Sequence, residues 1–367
     1  MFKPLATLAL LSLAPPLWAQ DAGDGGSVPP PAGATATGAA TAATAATVNA
    51  APLVAAAVSD HVLPGYDRLA RTSRALADTA GRHCTPEDAD LRNAYGAAFD
   101  AWIAVSHLRF GPAETANRAY ALAFWPDSRG ATPKALSGLI DAQDPVIDSA
   151  DSFADVSIAG RGFYALEYLL FDDRIAASGD AAYRCALVRA VATDIARTSA
   201  AIRDDWQAEF AETMRSPGPT ARYRSAQEAA QELFKALATG LEFTADTRLG
   251  RPLGTFERPR PNRAEARRSG RSLRHVMLSL QATRDLALLL AQGQPGVTSS
   301  LTAAFDTAQA NAAALAEDPV FAGVDDPSRR LKVEILQQSI GHIRDIVAQE
   351  LGPHLGVAAG FNALDGD

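Results

Sequence analysis

Apolar side chains recur at three- and four-residue steps along most of this chain, from near Leu53 almost to its end. No segment alternates apolar and polar residues over a useful length, and β-branched residues are sparse. Steps of three and four place apolar side chains on one face of an α-helix, whereas a half-buried strand needs strict alternation. The pattern therefore predicts an all-α protein.

The clearest buried stripe follows Thr85–Asp88, which combines a capping residue, a proline and two acids in the manner of a helix start. The stripe consists of five large apolar side chains at helical spacing: Leu91, Tyr95, Phe99, Trp102 and Val105. Asp180 is predicted to cap a long helix that runs to about Met214. Ser225–Glu228 has the form of a capping box before another helix.

Loops rich in proline and glycine separate the predicted helices, notably at Ser216–Thr220 and Arg251–Pro261. A chain of 367 residues is long enough for two domains. The break at Ser216–Thr220 is therefore predicted to divide two helical-bundle lobes, residues 51–215 and 216–367.

The first 19 residues resemble a secretory signal peptide, with Lys3 before an apolar run at Leu5–Leu13. No cysteine follows this run, so lipid attachment there is excluded. Residues 20–50 consist mainly of Ala, Thr, Gly and Pro, which predicts a disordered linker. We expect an exported, soluble periplasmic protein without a membrane span. The net charge of −8 argues against nucleic acid as a partner.

The chain contains two cysteines, Cys84 and Cys185, each near a predicted helix end. Export would place them in an oxidising compartment, where paired cysteines commonly form disulfides. A structural disulfide is the favoured prediction, and two free buried thiols are the alternative. No Cys-x-x-Cys is present, which argues against redox catalysis or a thiolate zinc site.

Large aromatic and charged residues occur together in the segment from Phe110 to Asp127 and at the helix end before it. The ligand-binding candidates here are Arg109, Glu114, Trp125 and Asp127. Loops that carry such residues often bind ligands. The structural alternative is that Trp125 fills a gap between helices and Asp127 caps the next helical turn.

A second candidate site lies in Gly160–Phe171, where Tyr164 and Glu167 are three residues apart on a predicted helix. Phenolate and carboxylate oxygens suit ferric iron, and tyrosine also serves as an axial ligand of haem iron. His107 could approach Glu167 and complete a metal set. The alternatives are that Tyr164 packs in the core with its hydroxyl bonded to a neighbour, and that His107 is simply hydrogen-bonded.

Arg161 lies between two glycines and is a further candidate, either paired with Glu167 or an acid of the aromatic loop, or held in a structural ion pair. The basic segment Arg258–Arg274 is interpreted as a solvated loop and helix face.

Four blocks of the sequence resemble the imelysin-like family in the same order. They are Trp102–Pro112, Phe124–Asp127, Gly162–Glu167 and Leu355–Asp367. The third resembles the motif Gly-x-His-x-x-Glu, with Tyr164 in place of the histidine. The resemblance implies two similar helical bundles and a place in the bacterial cell envelope. The family's founding member was described as an insulin-cleaving metallopeptidase, and other members are tied to iron uptake.

Three functional hypotheses follow. The favoured one is a non-catalytic exported protein that serves iron acquisition by binding iron, haem or a component of an envelope uptake system. The second is a metallopeptidase with a degenerate metal motif, in which zinc is held by Glu167 and histidines from elsewhere. It is weakened because neutral tyrosine is a poor zinc ligand and no His-Glu-x-x-His is present. The third is an envelope scaffold without a ligand.

Overall fold

The structure, a computed structural model, describes residues 48–357. The predicted signal peptide, the linker up to residue 47, and residues 358–367 lie outside the described residues. The described residues belong to one compact unit. The predicted lobe boundary at Ser216–Thr220 stays a prediction.

The described part of the chain is built from α-helices, as the apolar spacing predicts. In chain order these are α1 (Ala50–Ala56), α2 (Leu63–Arg82), α3 (Ala89–Ile103), α4 (Arg118–Leu122), α5 (Ala131–Ala142), α6 (Ala150–Ala154), α7 (Gly162–Phe171), α8 (Asp173–Ala176), α9 (Ala181–Asp205), α10 (Ala211–Arg215), α11 (Ala226–Glu242), α12 (Gly250–Leu253), α13 (Ser272–Leu290), α14 (Pro295–Ala313), α15 (Pro327–Ile346) and α16 (Gly352–His354). Within residues 48–357 the extended pairing is limited to an isolated bridge between Thr255 and Arg258. The all-α prediction is therefore confirmed.

Short π-helical turns interrupt or extend several helices: Ala57–Val62, Trp206–Phe210, Phe243–Leu249 and Val347–Leu351. The second of these joins α9 to α10, so the long helix predicted from Asp180 to about Met214 is one continuous helical run. Asp180 caps it by accepting a hydrogen bond from the Tyr183 amide at 2.8 Å. The sequence therefore located both ends of this helix.

The capping box at Ser225–Glu228 is confirmed, and the helix start predicted at Thr85 lies three residues later. Ser225 Oγ accepts from the Glu228 amide at 3.2 Å, while the Glu228 carboxylate accepts from the Arg224 amide at 2.7 Å. Helix α3 starts later than predicted, because Asp88, not Thr85, accepts from the Leu91 amide at 2.9 Å. The predicted stripe along α3 and its C-terminal end is buried throughout.

The helices pack in two neighbouring groups that meet around the candidate site. In the first group α2 lies between α3 and α9, and α7 packs against α9, α3 and α5. In the second group α14 packs against α13 and α15, and α11 packs against α13. Helix α1 contacts α11 and α13, and α13 also contacts α3. These contacts bring residues from distant parts of the chain to one place.

A disulfide joins Cys84, just after α2, to Cys185 in the first turns of α9, with the two Cα atoms 4.9 Å apart. The predicted pairing is confirmed. It links two helices that already pack together along their length. Disulfides are typical of proteins that work in oxidising, extracytoplasmic compartments.

Between residues 48 and 357, none of the helices combines the length and the apolar character needed to cross a membrane.

Candidate functional site

Gly162 sets the position of helix α7, which carries two of the predicted site residues. Its φ of 73° lies in the left-handed region, where side chains are disfavoured. A Cβ atom there would lie 2.2 Å from the carbonyl oxygen of Ala121 and 2.3 Å from that of Leu122. Only glycine therefore allows α7 to begin directly against the end of α4.

Tyr164 and Glu167 are both buried on α7, but their polar atoms have different partners. The Tyr164 hydroxyl donates to Oε1 of Glu265. Glu167 Oε1 accepts from the backbone amide of Ser269 at 2.9 Å and from its hydroxyl at 2.7 Å. Burial raises the pKa of Glu167, and the two Ser269 donors oppose that rise.

Glu265 is the centre of a buried polar cluster beside Tyr164. Its Oε2 lies 2.7 Å from Nε of Arg248 and 3.1 Å from Nδ1 of His275. Burial alone would raise the pKa of Glu265, but the charge of Arg248 and the nearby His275 outweigh it and lower the pKa to about 2. Burial and the charge of Glu265 raise the pKa of Tyr164 well above its usual value, so its phenol is neutral at pH 7.

Arg248 is held in place by further hydroxyl groups. Its Nη1 donates to the hydroxyls of Ser279 at 3.0 Å and Thr244 at 3.2 Å. Its guanidinium carbon lies 4.8 Å from the centre of the Phe243 ring. Arg248, Thr244 and Phe243 all belong to the π-helical turn Phe243–Leu249. Such turns often occur at functional sites because they redirect side chains locally.

A cavity of about 350 Å³, which we name the aromatic cavity, is lined in part by this cluster. Its lining combines aromatic rings with polar and charged side chains: Trp102, Ser106, His107, Arg109, Glu114, Tyr120, Ala123, Trp125, Pro126, Tyr164, Thr239, Gly240, Phe243, Arg248, Glu265 and Ser279. Arg248 and Glu265 are almost fully buried and form its inner end. The cavity can therefore hold an apolar or planar group against rings while offering polar contacts at one end.

The solvent side of the aromatic cavity is formed by Arg109, Glu114 and Tyr120. Arg109 Nε lies 3.5 Å from the Glu114 carboxylate, and its guanidinium carbon lies 4.7 Å from the centre of the Tyr120 ring. All three side chains are partly exposed. Two predicted site residues therefore form the mouth of the cavity.

A second, smaller cavity of about 130 Å³ adjoins the first, and we name it the arginine cavity. Its lining consists of Phe124, Trp125, Asp127, Ser128, Thr132, Tyr164, Glu167, Tyr168, Arg251, Asn262, Arg263, Ala264, Ala266 and Arg268. Trp125 and Tyr164 line both cavities, with their ring centres 6.2 Å apart and their planes 25° apart. These two rings form the wall between the cavities.

The sequence matches the family model for imelysin over residues 62–347. The chain belongs to the imelysin family. No curated protein matches it.

Two solved structures share the imelysin fold with this chain. An imelysin-like protein from Psychrobacter arcticum 273-4 superposes with a TM-score of 0.71 at 23% sequence identity, covering 85% of this chain and 97% of that one. A proposed iron-regulated protein A precursor from Parabacteroides distasonis ATCC 8503 gives a TM-score of 0.66 at 16% identity, covering 83% and 97%. At these identities the likeness shows the fold.

The structure brings most of the predicted site residues to the two cavities. Arg109, Glu114 and His107 line the aromatic cavity, Asp127 and Glu167 line the arginine cavity, and Trp125 and Tyr164 line both. Asp127 also caps α5, since its carboxylate accepts from the amides of Ala131 at 2.9 Å and Thr132 at 2.8 Å. These bonds outweigh the effect of burial and lower the pKa of Asp127.

Arg161 does not take part in either cavity. It forms a bidentate ion pair with Asp194 of α9, at 2.9 Å from Nε and 2.7 Å from Nη2. Of the two alternatives for Arg161, the structural ion pair is therefore confirmed, and the pairing with Glu167 or with an acid of the aromatic loop was wrong. The physical reason is that Arg161 precedes α7 and points toward α9, whereas Glu167 is bonded to Ser269.

The three predicted metal ligands do not form a shared set in this structure. Tyr164 is bonded to Glu265, Glu167 is bonded to Ser269, and Nε2 of His107 lies 2.9 Å from Nε2 of His61. Burial lowers the pKa of His107 well below its usual value, so the ring is neutral at pH 7. Among the described residues no group of three His, Cys, Asp or Glu side chains is arranged to hold a metal ion. His107 is hydrogen-bonded to His61, as its structural alternative predicted, and it lines the aromatic cavity, whereas Glu167 lines the arginine cavity.

The sequence did not indicate the site residues that come from the chain after α11, above all Arg248, Glu265 and His275. The interpretation of Arg258–Arg274 as solvated was wrong for Ala264–Ala266, which are buried. These residues pack next to α7, and Glu265 bonds Tyr164. An acid within a basic segment was the one available signal, and it gives no indication of its distant partner.

Proposed function

We propose that this protein is a non-catalytic, periplasmic binding protein of iron acquisition, which takes up iron, haem or the exposed part of a partner in the aromatic cavity. The observation that carries the proposal is the cavity itself, walled by Trp125, Tyr164 and Phe243 and closed at its inner end by the Arg248–Glu265 pair. Cavities that combine apolar walls with a few convergent polar groups are the usual sites of small-ligand binding.

The chemistry of the lining favours a chelate or a planar macrocycle over a bare ferric ion. Tyr164 is a neutral phenol already bonded to Glu265, so a bare ion would have to displace both a proton and a hydrogen bond. Flat rings, in contrast, give a planar ligand large contact area. The volume of about 350 Å³ lies near the lower end for ligand cavities, so a macrocycle would keep one edge at the mouth beside Arg109.

Two further observations support the link to iron and to the periplasm. The Parabacteroides neighbour is proposed to be iron-regulated, and it shares the fold over most of both chains. The disulfide and the N-terminal segment that resembles a signal peptide both fit export to an oxidising compartment. A partner from an envelope iron-uptake system would then meet the cavity from its exposed mouth.

The test is elemental analysis and protease assay of the exported protein purified without a histidine tag. We expect iron or haem to copurify from iron-replete cells, and no cleavage of insulin or casein with or without added zinc. One tightly bound zinc per chain, with cleavage that is lost in Glu167→Ala but kept in the mouth variant Glu114→Ala, would establish a metallopeptidase instead. Absence of iron, haem and cleavage would favour a scaffold and contradict the proposal.

A further inference from the structure

Three arginines beside the arginine cavity lack an acidic partner within the described residues: Arg251, Arg260 and Arg263. Their neighbours differ in this respect, since Arg248 pairs with Glu265, Arg268 with Asp172 and Arg271 with Asp100. The chain as a whole is acidic, with a net charge of −8. A local group of unpaired cations on such a protein therefore calls for a physical explanation.

The loop after α12 holds these three arginines close together. The Arg260 amide donates to the carbonyl oxygen of Pro252 at 2.8 Å, which folds the loop back onto α12 beside Arg251. The Arg263 amide then donates to the Arg260 carbonyl at 2.9 Å. Burial lowers the pKa of Arg251, and the charges of Arg263 and Arg260 lower it further. Arg260 and Arg263 therefore both repel Arg251 in the folded protein.

The Arg251 side chain is held against an aromatic ring, but one of its hydrogen-bond donors has no partner among the described residues. Its guanidinium carbon lies 5.7 Å from the centre of the Trp125 ring, at the wall shared by both cavities. Its Nε is buried and has no hydrogen-bond partner among the described residues. A buried donor without a partner costs free energy unless something else accepts its hydrogen bond. Arg263 lines the same cavity and is exposed toward solvent.

Among residues 48–357, the acids that face the cavity form no ion pair with these arginines. Both carboxylate oxygens of Asp127 accept hydrogen bonds from backbone amides at the start of α5, at 2.9 and 2.8 Å. Glu167 accepts two hydrogen bonds from Ser269, and Asp172 pairs with Arg268 at 2.7 Å. Arg251 and Arg263 are consequently the arginines of the cavity lining that have no acidic partner among the described residues, whereas Arg268 is paired.

We propose that the arginine cavity binds an oxyanion, either a free phosphate or the carboxylate group of a small organic acid, held by Arg251 and Arg263 with Arg260 at the rim. Planar guanidinium groups suit the two-oxygen faces of carboxylate and phosphate. The volume of about 130 Å³ accommodates one such group. This site goes beyond the proposed iron function and does not require it, although an anionic ligand of the aromatic cavity would place its charged end here.

The test is isothermal titration calorimetry with sodium phosphate and, separately, sodium citrate, in metal-free buffer of low ionic strength. We expect saturable binding of at least one of the two, and a higher melting temperature when it is bound. Arg263→Gln removes one charge-assisted contact from an exposed position, and we expect it to weaken binding about tenfold or more. Arg82→Gln removes an exposed arginine from the end of α2 and should leave binding unchanged.

The two anions distinguish the two possible ligands. Binding of phosphate alone indicates a site for free phosphate, and binding of citrate alone indicates a site for the carboxylate of an organic acid. Without ligand, Arg263→Gln should melt no lower than the wild type, since it relieves repulsion. Absence of binding for both anions, or equal weakening in Arg82→Gln, would overturn the proposal. Because the probes carry no metal, this result is independent of any result on iron or haem.

Discussion

Replacement of Arg248 by methionine tests the buried cluster that forms the inner end of the aromatic cavity. Arg248 and Glu265 are only 3% and 2% exposed and lie 2.7 Å apart. Methionine fills much of the same volume but leaves the Glu265 carboxylate buried without its main cation. Removal of one partner from a buried ion pair costs about 3–5 kcal/mol. We expect the free energy of unfolding at pH 7.5 to fall by about this amount.

The loss should depend on pH in a defined direction. In the wild type the folded-state pKa of Glu265 is about 2, below its unfolded value, so its stabilising effect is present above the unfolded pKa and is lost as pH falls toward 2. In Arg248→Met, burial is no longer opposed by Arg248 and the folded-state pKa should rise above the unfolded value. The deficit against the wild type should therefore be larger at pH 7.5 than at pH 5.

Urea denaturation at both pH values measures this deficit, and two variants control for it. In Arg248→Met/Glu265→Gln the uncompensated charge is gone, so much of the stability should return. Arg74→Met breaks an exposed pair with Asp78 and should change stability by less than about 1 kcal/mol. A deficit in Arg248→Met that is below about 1 kcal/mol, or that grows as pH falls, would refute the reasoning.

Three further outcomes are expected. Burial lowers the pKa of His61 to about 4 and lowers that of His107 well below its usual value. The unfolding free energy should therefore fall between pH 6.5 and 4 by up to about 1.4 kcal/mol per pH unit for each ring. Denaturation experiments across this pH range that show no decline would contradict this expectation. Gly162→Ala should cost more than about 2 kcal/mol or prevent folding, whereas Gly138→Ala within α5 has open space and should be neutral or stabilising in thermal melts. Reduction of the disulfide should cost about 2–5 kcal/mol, and thiol titration of the unfolded, unreduced protein should detect no free thiol.

The helices were predictable because their information is local. Apolar spacing located α3, α9 and α13, and the caps at Asp180 and Ser225 are formed by side chains that bond amides only three residues away. The disulfide was also predictable, since the chain contains two cysteines and each has only the other as a possible partner. The capping role of Asp127 was one of two interpretations that the sequence left open, and its carboxylate does cap α5.

The sequence indicated the site residues that come before α9 but not their buried partners from later in the chain, because each buried contact joins distant segments. Tyr164 meets Glu265 across about a hundred residues of chain, and Glu167 meets Ser269 across a similar distance. Nothing local to Glu265 distinguishes a buried carboxylate from a surface acid in a basic segment. A structural ion pair was one of the two interpretations of Arg161, but its partner could not be named, since Asp194 lies on a helix that the motif around Glu167 does not indicate.

The most direct test of the central claim is an equilibrium titration with haem and with ferric nitrilotriacetate, followed by tryptophan fluorescence. Trp102 and Trp125 both line the aromatic cavity, so a ligand bound there should quench their emission. We predict saturable quenching by at least one of the two, with affinity reduced in Trp125→Phe and Tyr164→Phe and unchanged in Arg82→Gln. Saturable binding that these two cavity variants leave unchanged, or no quenching by either ligand, would contradict the account.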